Sequence, residues 1–362
     1  MKSAILAGVA ATPLLLGVAM AQSQPASDDV IIVTGTRVEN RSALDTAVAV
    51  DVVGQEALEQ GGVSEVNQAL SIALPSFNFP RPSLSDGTDT IRPATLRGLA
   101  PDQALVLVNS KRRHAASLVN VNGAIGRGAS AVDLNTIPTS AIQGVEVLRD
   151  GASAQYGSDA IAGVINVRLR EASSGGNISA SYGQRETSYD VPTNPFPANL
   201  GLPAAPGTIS RDRSDGRVAT VSGWIGLPLF TDQGFLTVSA EYKQQDRTER
   251  GGYDTRQQYA FVSGNPNPKE ATANRWNAWS GEPEMDQYTV LANAGYDAGA
   301  GTELYGWAGY QNREAVSAGF FRRQNDARNI PSIYPDRFLT KINPTVTDYS
   351  GAFGTRFALG DW

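Results

Sequence analysis

From Gly175 onward the chain alternates apolar and polar side chains in short segments, and this pattern limits its fold more than any other feature. In "GFLTVSAEYKQ", Leu236, Val238, Ala240 and Tyr242 face one way while Thr237, Ser239, Glu241 and Lys243 face the other. "QYTVLANAGY" sets Tyr288, Val290, Ala292, Ala294 and Tyr296 against Thr289 and Asn293. "NISASYG", "ATVSGWIGL", "ELYGWAGYQ" and "DYSGAFGTRFAL" repeat the pattern less cleanly. Successive side chains leave a strand on opposite sides, so a period of two with one apolar face marks a half-buried strand. The connections alternate as well. Arg185–Gly216, Asp246–Met285 and Asn312–Thr347 are long, whereas "PLFTDQG" and "DAGAGT" are short. Long loops at one end and tight turns at the other suit a transmembrane β-barrel, with Tyr and Trp near the segment ends as its aromatic girdle. A soluble β-sandwich alternates too, but seldom with so regular a rhythm of connections.

The N-terminus reads as an export signal. Lys2 precedes an apolar run from Ala4 to Val18, interrupted only by Thr12, and Ala19-Met20-Ala21 fits the small-x-small rule of signal peptidase. Residues 1–21 are therefore expected to be a signal peptide, with Gln22 the mature start. Its 15-residue apolar run is short for a spanning helix. An exported chain with no cysteine must hold together without disulfides, which argues against a small stapled domain. Past residue 21 no apolar run reaches the length of a membrane helix, so such a chain can span a membrane only as a barrel. Residues 28–170 carry 12 basic and 15 acidic side chains, and residues 171–362 carry 17 and 21. Neither half has the basic surface that a nucleic-acid partner requires. One histidine and no cysteine argue against a transition-metal centre, and no carboxylate spacing singles out a glycosidase pair. No catalytic, metal or cofactor residue is assigned.

The first half has a different grammar. Val50–Val53 is β-like, and Gly54–Ala73 places Ala57, Leu58, Val66, Leu70 and Leu74 at helical offsets before Pro75. "ALVLVNSKRRH" reads as a buried strand ending in an Asn109-Ser110 turn. "VEVLRDGASAQYG" and "IAGVINVRLR" read as two further strands, the second leading toward the alternating half. The expected fold is an α+β domain followed by antiparallel transmembrane β-barrel strands.

Three stretches resemble the N-terminal portion of a TonB-dependent outer-membrane receptor: "DDVIIVTGTR" (28–37), "TLRGLAPDQALVLVNSKRR" (95–113) and "AIQGVEVLRDGASAQYGSDAIAGVINVRLR" (141–170). The resemblance implies a plug domain seated inside a barrel, and active uptake of a scarce, bulky nutrient powered through TonB. Siderophores, cobalamin and saccharides all suit the family. It divides the chain into a signal peptide (1–21), a linker with a TonB-box-like strand (22–45), a plug (46–170) and first barrel strands (171–362). Its partners would be the TonB energising complex, outer-membrane lipid and a nutrient ligand, with no nucleic acid and no cofactor.

Within that frame, "DGASAQYGSDAIAGVIN" lacks the spacing of a Walker loop, a dinucleotide fingerprint or a nucleophile elbow. Gly98, Gly151, Gly157 and Gly163 are expected to turn the plug backbone and let it approach other backbone closely. The segment Asp29, Val30, Ile31, Ile32, Val33, Thr34 corresponds to the TonB box, a strand suited to adding itself to a partner's sheet edge; the other reading is the plug's own first strand. Arg97, Glu146 and Arg149 match family positions that anchor plug to barrel, although "LRDG" stands where many relatives read "LRG". "KRRH" (111–114) is expected to be a solvated plug loop. Six strands are expected after Gly175, fewer than the roughly eight that the smallest closed barrels need. The chain is accordingly expected to be a truncated receptor, or half of a split one. An exported β-rich binding protein or enzyme without TonB coupling is the alternative.

Overall fold

The computed structural model describes residues 31–32, 34, 41–42, 50–59, 65–122, 124–149, 152–193, 207–277 and 279–357. The expected signal peptide and its cleavage site, together with Asp29, Val30, Val33 and Gly151, lie outside the described residues.

Ahead of the plug, β1 (Ile31–Ile32) and β2 (Arg41–Ser42) pair antiparallel. β3 (Val50–Gly54) runs straight into α1 (Gln55–Glu59), and α2 (Val66–Ala73) follows. Helix α2 stops where Leu74 turns extended, as expected of a residue that precedes a proline. β4 (Phe77–Asn78), α3 (Thr88–Ile91) and β5 (Thr95–Leu96) come next, β4 pairing with β5. β6 (Ala104–Val108) and β7 (Lys111–Arg112) form a hairpin through Asn109 and Ser110, whose φ angles are 45° and 63°. Two left-handed residues in succession give the turn the twist that a tight hairpin needs. β8 (Ile142–Leu148), α4 (Ala152–Tyr156) and β9 (Gly163–Leu169) complete the domain. Its sheet has the order β3-β8-β9-β6-β7, with only β6 and β9 parallel. Leu70, Leu96, Ile142, Val145 and Val167 fill the core beneath it.

One glycine is fixed by contact as well as conformation. Gly163 opens β9 at φ 140°, and a Cβ there would lie 2.3 Å from the Leu148 carbonyl oxygen and 2.8 Å from Leu96. Only a bare backbone fits, so β9 can lie against β8 at this point.

The second half is one antiparallel sheet. β10 (Gly176–Pro192), β11 (Thr208–Leu229) and β12 (Thr231–Gln245) follow one another, and the short β13 (Gly252–Tyr253) and β14 (Trp276–Asn277) pair within a loop. β15 (Glu284–Gly299), β16 (Thr302–Arg323), β17 (Arg337–Ile342) and β18 (Thr345–Phe357) finish it. The order is β10-β11-β12-β15-β16, with β17 and β18 sharing the far edge of β16. Between those two, Pro344 has no N–H for the ladder, and its carbonyl accepts from Ala315 N at 3.0 Å. The six expected strands are therefore present, the last in two pieces. Among the described residues the sheet stays open.

The strands run further than the alternating segments suggested. β11 and β16 each have 22 residues, where about 10 suffice to cross a hydrocarbon core. The Arg185–Gly216 and Asn312–Thr347 connections shrink accordingly, because most of each is strand.

Candidate functional site: the lumenal face of the sheet

The sheet is built inside out for a water-soluble protein. On β15, Tyr288 and Val290 are 46% and 45% exposed, whereas Gln287 and Thr289 are buried. Val221, Ile225, Leu227 and Tyr242 are likewise exposed, while Thr237, Ser239, Glu241, Lys243, Gln245, Gln311 and Arg313 are buried. The plug packs against this polar face, and the apolar face looks away from it. Tyr288, Tyr310 and Tyr349 run across the outer face with ring centroids 5.8 and 5.0 Å apart. Phe230 and Tyr296 meet edge-on at 5.4 Å near the opposite ends of their strands. These form the two aromatic rows. Trp224 and Trp307 do not join them: Trp224 carries the Arg170 guanidinium 4.3 Å from its ring, and Trp307 packs into the plug core with Leu291.

Charged side chains rivet plug to sheet at three levels. At the N-terminus of α2, Glu65 is bonded to Arg92 of the plug and to Lys243 of β12, all three buried. Burial pushes the Glu65 carboxyl up, but Arg92 and then Lys243 outweigh it and hold it well below the usual range. Next to this trio, Arg313 of β16 donates to Asp133 Oδ2 at 2.8 Å, to the Thr90 carbonyl at 3.0 Å and to Gln287 Oε1 at 2.7 Å. Asp89, in α3, is buried and has no cation at contact distance among the described residues, and burial pushes its carboxyl up to about 6. A cavity of about 10 Å³, the room of a single water, is lined by Glu65, Arg92, Lys243 and Arg313. On the next strand, Asp348 of β18 accepts from Arg113 Nη2 at 2.6 Å and lies 2.7 Å from His114 Nε2.

The residues singled out from the sequence make other contacts. Glu146 accepts from Thr34, at 2.9 Å from its backbone N–H and again from its hydroxyl, and from Asn166 at 3.4 Å. Arg168 lies 3.5 Å away. Arg149 pairs with Asp51 at 2.7 Å, and Arg97, itself at φ 57°, donates to the Arg149 carbonyl at 2.7 Å. All these contacts lie within the plug and its N-terminal segment, and the pairings to the sheet described above are made by Glu65, Arg113, His114 and Asp133. "KRRH" is a correction. Arg112 pairs with the exposed Asp159, but Arg113 is buried, Lys111 sits 5.1 Å over the Tyr305 ring, and Arg113 and His114 both reach Asp348. Lys111, Arg112 and His114 are exposed as expected, but Arg113 is buried and, with His114, makes one of the rivets. Of the turn glycines, Gly98 and Gly157 have φ 73° and 93°, and Gly163 makes the close approach described above. Ile31 and Ile32 pair with β2, and Thr34 ties that segment to Glu146.

Residues 42–164 match the TonB-dependent Receptor Plug Domain family model. Among solved structures, the chain is similar to the ferric enterobactin receptor PfeA from Pseudomonas aeruginosa, at 19% identity with a TM-score of 0.48. That alignment covers 75% of this chain and 34% of the receptor. It is similar too to the siderophore receptor PirA from Acinetobacter baumannii (15%, TM-score 0.40, 83% and 44%). The ferric-catecholate import receptor Fiu from E. coli K12 is a third (12%, TM-score 0.45, 92% and 50%). The chain thus spans a third to a half of the length of these receptors. Residues 42–164 thus carry a TonB-dependent receptor plug domain, and an open antiparallel sheet follows it.

Proposed function

We propose that this chain is the plug and first wall of an outer-membrane receptor that takes up a scarce, bulky nutrient and is energised through TonB. The observation that carries the reading is the inversion of the sheet, with apolar side chains outward and polar ones buried against a plug. An apolar outer face framed by aromatic rows suits lipid, and a soluble sandwich would bury the same face. Six strands enclose only part of a lumen wide enough for this plug, so uptake belongs to the barrel completed by further strands. The β-branched run at 30–33 supports TonB coupling, because a strand of this kind is suited to joining a partner's sheet edge, although Thr34 ties the segment to Glu146 in this structure.

Cells producing the completed receptor test both parts. Ile32→Pro removes a ladder donor and should abolish energised uptake while leaving ligand binding intact. Equal loss of binding and uptake would assign the strand to the plug core. Recovery of the protein in a soluble periplasmic fraction would favour the exported binding protein instead.

A further inference from the structure

Above the rivets, a cavity of about 380 Å³ opens between the plug and the sheet. Arg81 reaches it from the plug, Arg185 from the lumenal side of β10, and Arg250 from the loop after β12, with Glu282 on the segment leading into β15. Glu282 is shared. Arg81 Nη1 donates to its Oε1 at 2.6 Å, and Arg185 grips both oxygens through Nε and Nη2 at 2.8 to 3.1 Å. Arg250 is held by Asp215 at 2.7 Å and donates to Thr187 at 2.9 Å. Three guanidinium groups thus face one carboxylate across the cavity, and counting Asp215 behind Arg250 still leaves an excess of one positive charge.

We propose that this cavity is the ligand site of the receptor and that it selects a carboxylate-bearing ligand. The inference rests on the receptor reading and adds the substrate class. The Glu282 carboxylate already occupies the geometry such a ligand would take. It lies in the fork of Arg185 with Arg81 closing from the plug, and a planar fork suits carboxylates in pairs of parallel bonds. Five N–H groups per guanidinium leave donors to spare on each arginine after the bonds to Glu282, Gln68, Asp215 and Thr187. A ligand carboxylate entering between Arg81 and Arg185 displaces Glu282, and since Arg81 belongs to the plug, occupancy is felt there directly. An uncharged saccharide can accept hydrogen bonds from the guanidinium groups but leaves the one excess positive charge unanswered.

Binding of citrate, trigalacturonate, maltotriose and inorganic phosphate to outer membranes holding the completed receptor tests this, at low ionic strength. At least one of the two carboxylate probes should bind ten times tighter than maltotriose and phosphate. Arg81→Gln and Arg185→Gln should each weaken that binding at least tenfold, Arg81→Lys less, and Glu282→Gln should tighten it several-fold by removing the competitor. Carboxylate probes that bind no better than maltotriose or phosphate would overturn the proposal, as would Glu282→Gln weakening binding as the arginine variants do. Fractionation of the same cells reads the other premise. Protein in the outer membrane that ignores carboxylates sinks the substrate class alone, whereas protein absent from that membrane sinks the receptor reading.

Discussion

Lys243 is the residue whose role is easiest to misjudge from its surroundings in sequence. It sits on the polar side of an alternating strand, where a lysine is ordinarily solvated, yet only 4% of its side chain is exposed and it answers the Glu65 carboxylate. Removing one partner from a buried pair leaves an uncompensated charge, so Lys243→Met should destabilise plug seating by on the order of 3 kcal/mol. Calorimetric unfolding of the detergent-solubilised receptor measures it, and an unchanged transition would mean that Arg92 alone satisfies Glu65. The two carboxyls nearby have opposite pH signatures. Glu65, held below its usual 4.5, contributes stability that is present above that value and lost as the pH falls through its folded range. Asp89, raised from 3.8 to about 6, favours the folded state below pH 3.8 and loses that contribution as the pH rises toward 6. Asp89→Asn removes the ionisation that burial opposes, and should therefore stabilise the plug above pH 6, by up to about 3 kcal/mol, and do little below pH 4. Unfolding midpoints of the two proteins at about pH 3.5 and 7.5 check the sign; a difference confined to the acidic condition would reverse it. These pairings were not legible in the sequence. Asp348 lies 235 residues from Arg113, and nothing local to "KRRH" reports it.

Strands were the legible elements, within limits set by the medium. Alternation marks a strand only where one face is apolar, and here that holds across the band between the aromatic rows. Beyond it, residues such as Arg185, Glu186, Thr187 and Ser188 on β10 continue the ladder with polar side chains on both faces, so the strand loses its signature without ending. The helical stretch Gly54–Ala73 was legible as helix, and the structure builds α1 and α2 inside it. Gly98, Gly157 and Gly163 were legible as turn glycines because positive φ and close packing tolerate few other residues, as Gly163 illustrates. The direction of the strand faces makes a prediction at this scale. Val290→Arg puts a charge on the outer face just inside the Tyr288–Tyr310 row and should cost about 1–3 kcal/mol of folding free energy in lipid bilayers. Titration with denaturant in phospholipid vesicles measures it. A cost near zero would mean that Val290 faces water.

At the scale of the whole molecule, the plug and the sheet share one interior. Leu291 and Trp307 of the sheet belong to the same apolar cluster as Leu70, Ile142 and Val145 of the plug, and the buried charges lie around it. The molecule is thus organised around the polar face of its wall, and lipid on the other face is the account's central claim. The chain has no native cysteine, so spin labels can be placed singly along β10 at residues 177 to 182, where side chains on both faces are exposed and a label disturbs no packing. Collision with oxygen, which concentrates in lipid, and with a water-soluble nickel chelate is then measured in outer membranes of cells producing the completed receptor. The account predicts a period of two: Ile178, Ala180 and Tyr182 favour oxygen, and Asn177, Ser179 and Ser181 favour nickel. Nickel access at all six positions would contradict it.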